Sequence, residues 1–160
     1  MKKFSFFLFL FLNFSCLYAK NMNKIIYKNA YKKIILDLRM QTYSICISDT
    51  VIPLSCFYFI NMIECDKEKL NILRLQNDFY NSYYSKILHK LNHKVYKDNT
   101  PIVFFSKIRD NVVIADVYFR KSCLIKSYQK VCMSNVGLSY SYLMYVSTKG
   151  KIIKYLKYIW

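Results

Sequence analysis

The sequence predicts an α+β protein in which N-terminal helices pack on a C-terminal antiparallel β-sheet of two hairpins. Three observations carry this expectation. Apolar residues recur at helical spacing in the first part of the chain, and strand-like alternation dominates from Ile102 onward. With 54% hydrophobic and 18% aromatic residues and only two Gly and two Pro, the chain is neither disordered nor collagen-like, despite a net charge of +16. Its 160 residues suit one domain better than two, here expected over residues 20–160.

The elements follow in order. Lys2 and Lys3, the apolar run Phe4 to Tyr18 and the small Ala19 have the three-part layout of a secretory signal peptide over residues 1–19. Its apolar run falls short of the ~20 residues of a comfortable membrane span. Cleavage after Ala19 would release the domain, whereas the Leu12-to-Cys16 stretch resembles a degenerate lipoprotein box that would leave a lipidated Cys16. Ile26, Ala30, Ile34 and Leu38 then repeat every four residues, with Lys24, Lys28 and Lys32 on another face, which predicts an amphipathic helix over 22–40. Tyr43 to Ser48 alternates as a strand, and Asp49-Thr50 reads as its break. Leu54 to Ile63 is too apolar for periodicity to decide and is expected as a short buried helix.

Asp66 to Asn92 reads as one long helix, with Asp66 and Glu68 at its N-terminus and a stripe through Leu73, Tyr80, Tyr84, Ile87, Leu88 and Leu91. Lys94 to Pro101 reads as a polar linker. Ile102–Ile108 and Val112–Phe119 flank Arg109-Asp110-Asn111 as one hairpin, and Leu138–Val146 and Ile152–Ile159 flank Thr148-Lys149-Gly150 as the other.

Charge points to partners. Residues 117–160 hold no Asp or Glu, and Lys20 to Lys33 carries five lysines without an acid. Such a surface suits an acidic protein or an anionic membrane surface, or is simply a solvated lysine-rich face. Two points argue against nucleic acid. Most of the basic residues are Lys, whereas Arg is favoured for phosphate recognition. Abundant Ile, Lys, Asn, Tyr and Phe beside few Ala, Gly, Pro and Arg is also the composition of an A/T-rich gene, which inflates Lys.

Export permits disulfides. Cys123 and Cys132 flank a polar loop, and a bridge there would add about 2.7 kcal/mol. Cys46, Cys56 and Cys65 leave one thiol over whichever two pair.

Candidate chemistry is sparse. His89 and His93 lie four apart on the expected long helix, where they could hold a metal or simply occupy an exposed helix end; a catalytic zinc would need a third ligand. Asp110 is expected in a turn, and Asp49 in a turn or helix cap. Asp116 interrupts an apolar strand and is expected at a solvent-facing or barrel-mouth position. Tyr140 and Tyr142 should share one face of their strand and Tyr145 the other, as core packing or as a ligand face. No nucleophile elbow, Walker loop or dinucleotide fingerprint occurs, and no cofactor is expected.

Over roughly residues 43–160 the chain resembles a group of uncharacterised exported proteins and lipoproteins of Bacteroidetes-type bacteria. The resemblance rests on Ser48-Asp49-Thr50, on Phe105-Ser106 followed by Val113-Ile114-Ala115-Asp116-Val117-Tyr118, and on the cysteine-bearing loop. It continues through Gly137-Leu138-Ser139-Tyr140-Ser141-Tyr142-Leu143, Lys149-Gly150-Lys151 and Trp160. Where that group has a Trp after the Gly-Lys turn, this chain has Ile152. The resemblance implies a location and a fold rather than an activity. The expectation is a small exported, non-catalytic binding protein of the cell envelope. The alternatives are a small envelope hydrolase using some of Asp49, His89, His93 and Asp116, or a peripheral membrane protein held by its lysines.

Overall fold

The structure is a computed structural model and describes residues 21–40, 45–76, 82–91, 100–119 and 139–160. Helix α1 covers residues 21–37. It is followed by β1 (Cys46–Ile52), a 3-10 helix (Phe57–Met62), α2 (Asp66–Gln76), β2 (Tyr83–Tyr84) and α3 (Lys86–Leu91). Strands β3 (Ile102–Ser106), β4 (Val112–Tyr118), β5 (Ser139–Val146) and β6 (Ile152–Ile159) complete one six-stranded sheet of order β2-β1-β3-β4-β5-β6. The α+β class and both expected hairpins are present, and β3 to β6 form an antiparallel meander. The sheet extends further than expected: β1 adds in parallel to β3, and β2 adds antiparallel to β1, so the whole is mixed.

Helix α1 buries Ile26, Ala30 and Ile34 as its periodicity demands, together with Tyr27, Tyr31 and Ile35, while Lys24, Lys28 and Lys32 stay exposed. The two buried tyrosines are possible because their hydroxyls reach backbone carbonyls. Tyr27 donates to Ser106 O at 3.0 Å and Tyr31 to Ile45 O at 2.8 Å. These side chains meet Ile47, Val51, Val103, Phe105, Val113, Ala115, Val117, Tyr142 and Met144 on one sheet face, joined by Leu88 and Leu91 of α3. The opposite face carries Val112, Ile114 and Leu143 under Phe59, Ile63, Ile72 and Leu75 of the 3-10 helix, its C-cap and α2. The sheet is thus sandwiched between helices on both faces.

Two connections show why the chain turns where it does. Asp110 and Asn111 have φ of +43° and +61°, and Arg109 and Val112 exchange hydrogen bonds of 2.9 and 2.6 Å. This is the two-residue turn whose twist suits a hairpin, and Asp and Asn tolerate its left-handed backbone. In the second hairpin Gly150 has φ +76°, and a Cβ there would stand 2.9 Å from Ile25 Cγ2 of α1. Only glycine fits both the turn and the close approach.

Helix α1 ends with Met40 N–H bonded to Ile35 O and Arg39 N–H to Leu36 O, with Arg39 at φ +52°. That is a Schellman ending with arginine where glycine is usual. The two left-handed positions predict opposite outcomes. Arg39→Gly should raise stability by up to about 1 kcal/mol, and Gly150→Ala should lower it by about 1–2 kcal/mol. Urea denaturation of both variants checks this.

Two expectations need correction. The expected helix Asp66–Asn92 is not continuous: α2 ends at Gln76, Tyr83–Tyr84 form β2 against Thr50 and Val51, and α3 starts afresh behind Ser85. Ser82 to Ser85 are Ser and Tyr, which favour helix weakly, and the β1 edge offers Tyr83 and Tyr84 ladder bonds instead. The stripe is also shifted. Ile72 and Leu75 are buried, while Leu73 is 39% exposed and Tyr84 lies exposed in β2. Asp49-Thr50 likewise do not end the first strand. Ile47 pairs with Val103 and Val51 with Phe105, so Ser48, Asp49 and Thr50 bulge against a single residue of β3. Thr50 N–H bonds to Ser48 Oγ within that bulge. The expected Leu54–Ile63 helix is realised as the 3-10 turns of Phe57–Met62, with Phe59 fully buried. Most of the expected Lys94–Pro101 linker lies outside the described residues.

Candidate functional site

The expected site residues do not gather in one place. Asp49 Oδ2 and His89 Nδ1 do come together, at 3.4 Å, because the β1 bulge faces the start of α3, where Ser85 N–H bonds to Asp49 O. The pair is exposed, with the Tyr84 ring 5.7 Å from the imidazole. Among the described residues no hydroxyl or thiol hydrogen-bonds the other ring nitrogen of His89. His93, Cys16, Cys123 and Cys132 lie outside the described residues. Cys46 and Cys56 are buried and Cys65 is exposed, and among the described residues no disulfide joins any two of the three. Burial pushes the Cys56 thiol up to about 12. Among the described residues no group of three or more metal-ligating side chains forms.

Asp116 is not solvent-facing: it is only 7% exposed. It stands directly across from Ser141 in the β4–β5 ladder, and Ser141 Oγ donates to Asp116 Oδ1 at 2.6 Å. The same hydroxyl accepts the indole N–H of Trp160 at 2.8 Å. A buried carboxylate thereby fixes a serine, and the serine fixes the indole plane. Trp160 is half exposed, and its ring lies 4.2 Å from Tyr58, which stacks on Tyr158 at 5.2 Å. Phe57, 70% exposed, packs edge-on to Tyr58. The 3-10 helix and the end of β6 together present an aromatic platform held at a fixed angle.

The middle of β6 is tied to α1 on the opposite sheet face. Tyr142 Oη and Lys157 Nζ donate to Asp37 Oδ2 at 2.8 and 2.7 Å, and Tyr155 Oη donates to Oδ1 at 2.7 Å. Burial alone would push the Asp37 carboxyl up, but the bonds from Lys157, Tyr155 and Tyr142 outweigh it and hold it below the usual carboxylate range. Tyr142 is pushed up by burial and by the Asp37 carboxylate. Lys157 also sits over the Tyr140 ring at 4.3 Å, and Lys33 over Tyr155 at 4.4 Å. Tyr140 and Tyr142 thus share one face and Tyr145 the other, as the alternation required.

Sequence reasoning missed Asp37, Ser141 and Tyr58. Two signals existed. Asp37 is an acid in the last turn of a helix, where the dipole disfavours it by about 0.3–1 kcal/mol, so a partner elsewhere was implied. Asp116 and Ser141 are polar intrusions in two apolar strands, and pairing those strands in register sets one against the other. Nothing in the sequence marks Tyr58 among its aromatic neighbours.

Among the described residues no helix is long and apolar enough to cross a membrane. Comparison with family models, with curated proteins and with solved structures finds no match to this chain.

Proposed function

We propose that the protein is a non-catalytic binding protein of the bacterial cell envelope, and that the platform of Phe57, Tyr58, Tyr158 and Trp160 docks an acidic partner protein. The observation that carries this reading is the held tryptophan. A large aromatic ring left half in water loses contact area, yet here a buried Asp–Ser pair fixes its orientation. A surface group fixed before contact binds with less ordering cost, and exposed aromatic clusters are the usual anchors of interfaces. The excess of lysine supplies the steering: acids are absent from residues 117–160, and Lys149 and Lys151 are exposed in and beside the turn that leads into β6. Export of a chain starting at Lys20, or lipidated at Cys16, would place this surface in the envelope.

Trp160 is the sole tryptophan, so its emission reports the platform directly. Titration with a poly(Glu,Tyr) copolymer should shift that emission, with binding that weakens as salt rises to ~0.5 M and that Phe57→Ala reduces about tenfold or more. A shift with phosphatidylglycerol vesicles and none with the copolymer would replace this reading by the peripheral-membrane one. No shift with either would end it.

A further inference from the structure

A cavity of about 350 Å³ opens between α2, the Asp110–Asn111 turn and β5, away from the aromatic rings that form the platform. Its size falls within the ~300–1,000 Å³ typical of small-molecule sites. The floor is apolar and made of buried Ile72, Leu75 and Val112. The rim is charged with both signs. Glu68 and Asp110 bring carboxylates, while Arg74 and Asn71 bring a guanidinium and an amide. Among the described residues Arg74 and Asp110 have no ion-pair partner, although both line this cavity, so they stand too far apart to neutralise each other. Glu68 is held by Lys154 at 3.1 Å. At the inner wall the Tyr145 hydroxyl, raised in pKa by burial and by the Glu68 carboxylate nearby, has no hydrogen-bond partner of good geometry.

We infer that this cavity binds a free α-amino acid with a branched aliphatic side chain. The rim selects a zwitterion. With Glu68 already paired to Lys154, a lone anion meets the Asp110 carboxylate and a lone cation meets Arg74, whereas a ligand carrying both charges spans the gap between Asp110 and Arg74. Its ammonium goes to Asp110, and its carboxylate takes the planar fork of Arg74. The floor accepts a side chain of Leu, Ile or Val size, which gains by leaving water.

The test uses the full chain and three probes: L-leucine, 3-methylbutylamine, which lacks the carboxylate, and 4-methylpentanoate, which lacks the ammonium. Calorimetric titration should show saturable binding of L-leucine and binding about tenfold or more weaker for either analogue. Arg74→Gln and Asp110→Asn should each weaken L-leucine by a similar factor. Both variants should keep their melting temperature without ligand, since Arg74 is exposed and Asn suits the left-handed turn position. Equal binding of all three probes, no binding of L-leucine at ~10 mM, or unchanged affinity in both variants would overturn the assignment.

Discussion

Asp37→Ala should lower unfolding free energy by about 3 kcal/mol, a large fraction of a small domain's stability. Three donors, two phenols and an ammonium, converge on the Asp37 carboxylate, whose side chain is only 15% exposed. Removing the acceptor leaves Tyr142, Tyr155 and Lys157 without their shared partner, and hydrogen bonds to a charged group are worth about 1.5–3 kcal/mol each. The donors stand on β5 and β6, so they remain in place when the carboxylate on α1 is gone. The vacated spot is then a ready carboxylate site. Acetate should therefore restore stability to Asp37→Ala beyond what matched chloride does, and leave the natural chain unaffected.

The pH dependence follows from the sign of the shift. The Asp37 pKa is lower folded than unfolded, so its contribution is complete above the unfolded value of about 3.9 and is lost as pH falls through the lower folded value. The stability difference between the natural chain and Asp37→Asn should be flat above that range and shrink below it. Chemical denaturation between pH 2 and 7 measures this; a difference that persists unchanged at the acid end would show that Asp37 is not the responsible group.

Ser141→Ala should cost about 2 kcal/mol and release the tryptophan. The substitution removes both a donor to a buried carboxylate and the acceptor of the indole N–H. Because the chain has one Trp, its emission should move to longer wavelength and its anisotropy fall, with far-UV circular dichroism unchanged. Asp116→Asn is the control. The amide oxygen still accepts from Ser141, so the loss should be smaller and the indole should stay fixed. An unaltered emission spectrum in Ser141→Ala would show that the Asp–Ser pair does not hold the ring.

Much of the fold was legible because local rules decided it. The i, i+4 repeat of Ile26, Ala30 and Ile34 marked the inner face of α1, and Asp110-Asn111 and Gly150 marked two hairpins that tertiary contacts had no reason to alter. The strand Tyr83–Tyr84 was not legible. Two tyrosines after a helix-like run become a strand only because the β1 bulge leaves backbone groups for them to pair with, and that bulge depends on pairing with β3, far along the chain. The candidate site was less legible still. Asp116 looked exposed because a charged residue in an apolar strand usually points outward. Its burial depends on Ser141 standing opposite, which is a property of register rather than of either residue. Asp49 and His89 each stand out in the sequence, yet their meeting depends on β2 interrupting the expected helix ahead of α3, which the sequence pattern hid.

The parallel placement of β1 also sets a waiting time during synthesis. Cys46 leaves the ribosome long before its partner Ile102 exists, and at about 5–20 residues per second the strand stays without that neighbour for several seconds. Later hairpins fold on short connections, while β1, second from the sheet edge, must wait with Ile47, Val51 and Ile52 uncovered, a hazard for any apolar strand. The Ser48-Asp49-Thr50 bulge interrupts that run with polar and charged groups. The residues that kink the finished strand therefore also act as gatekeepers against aggregation of the nascent one.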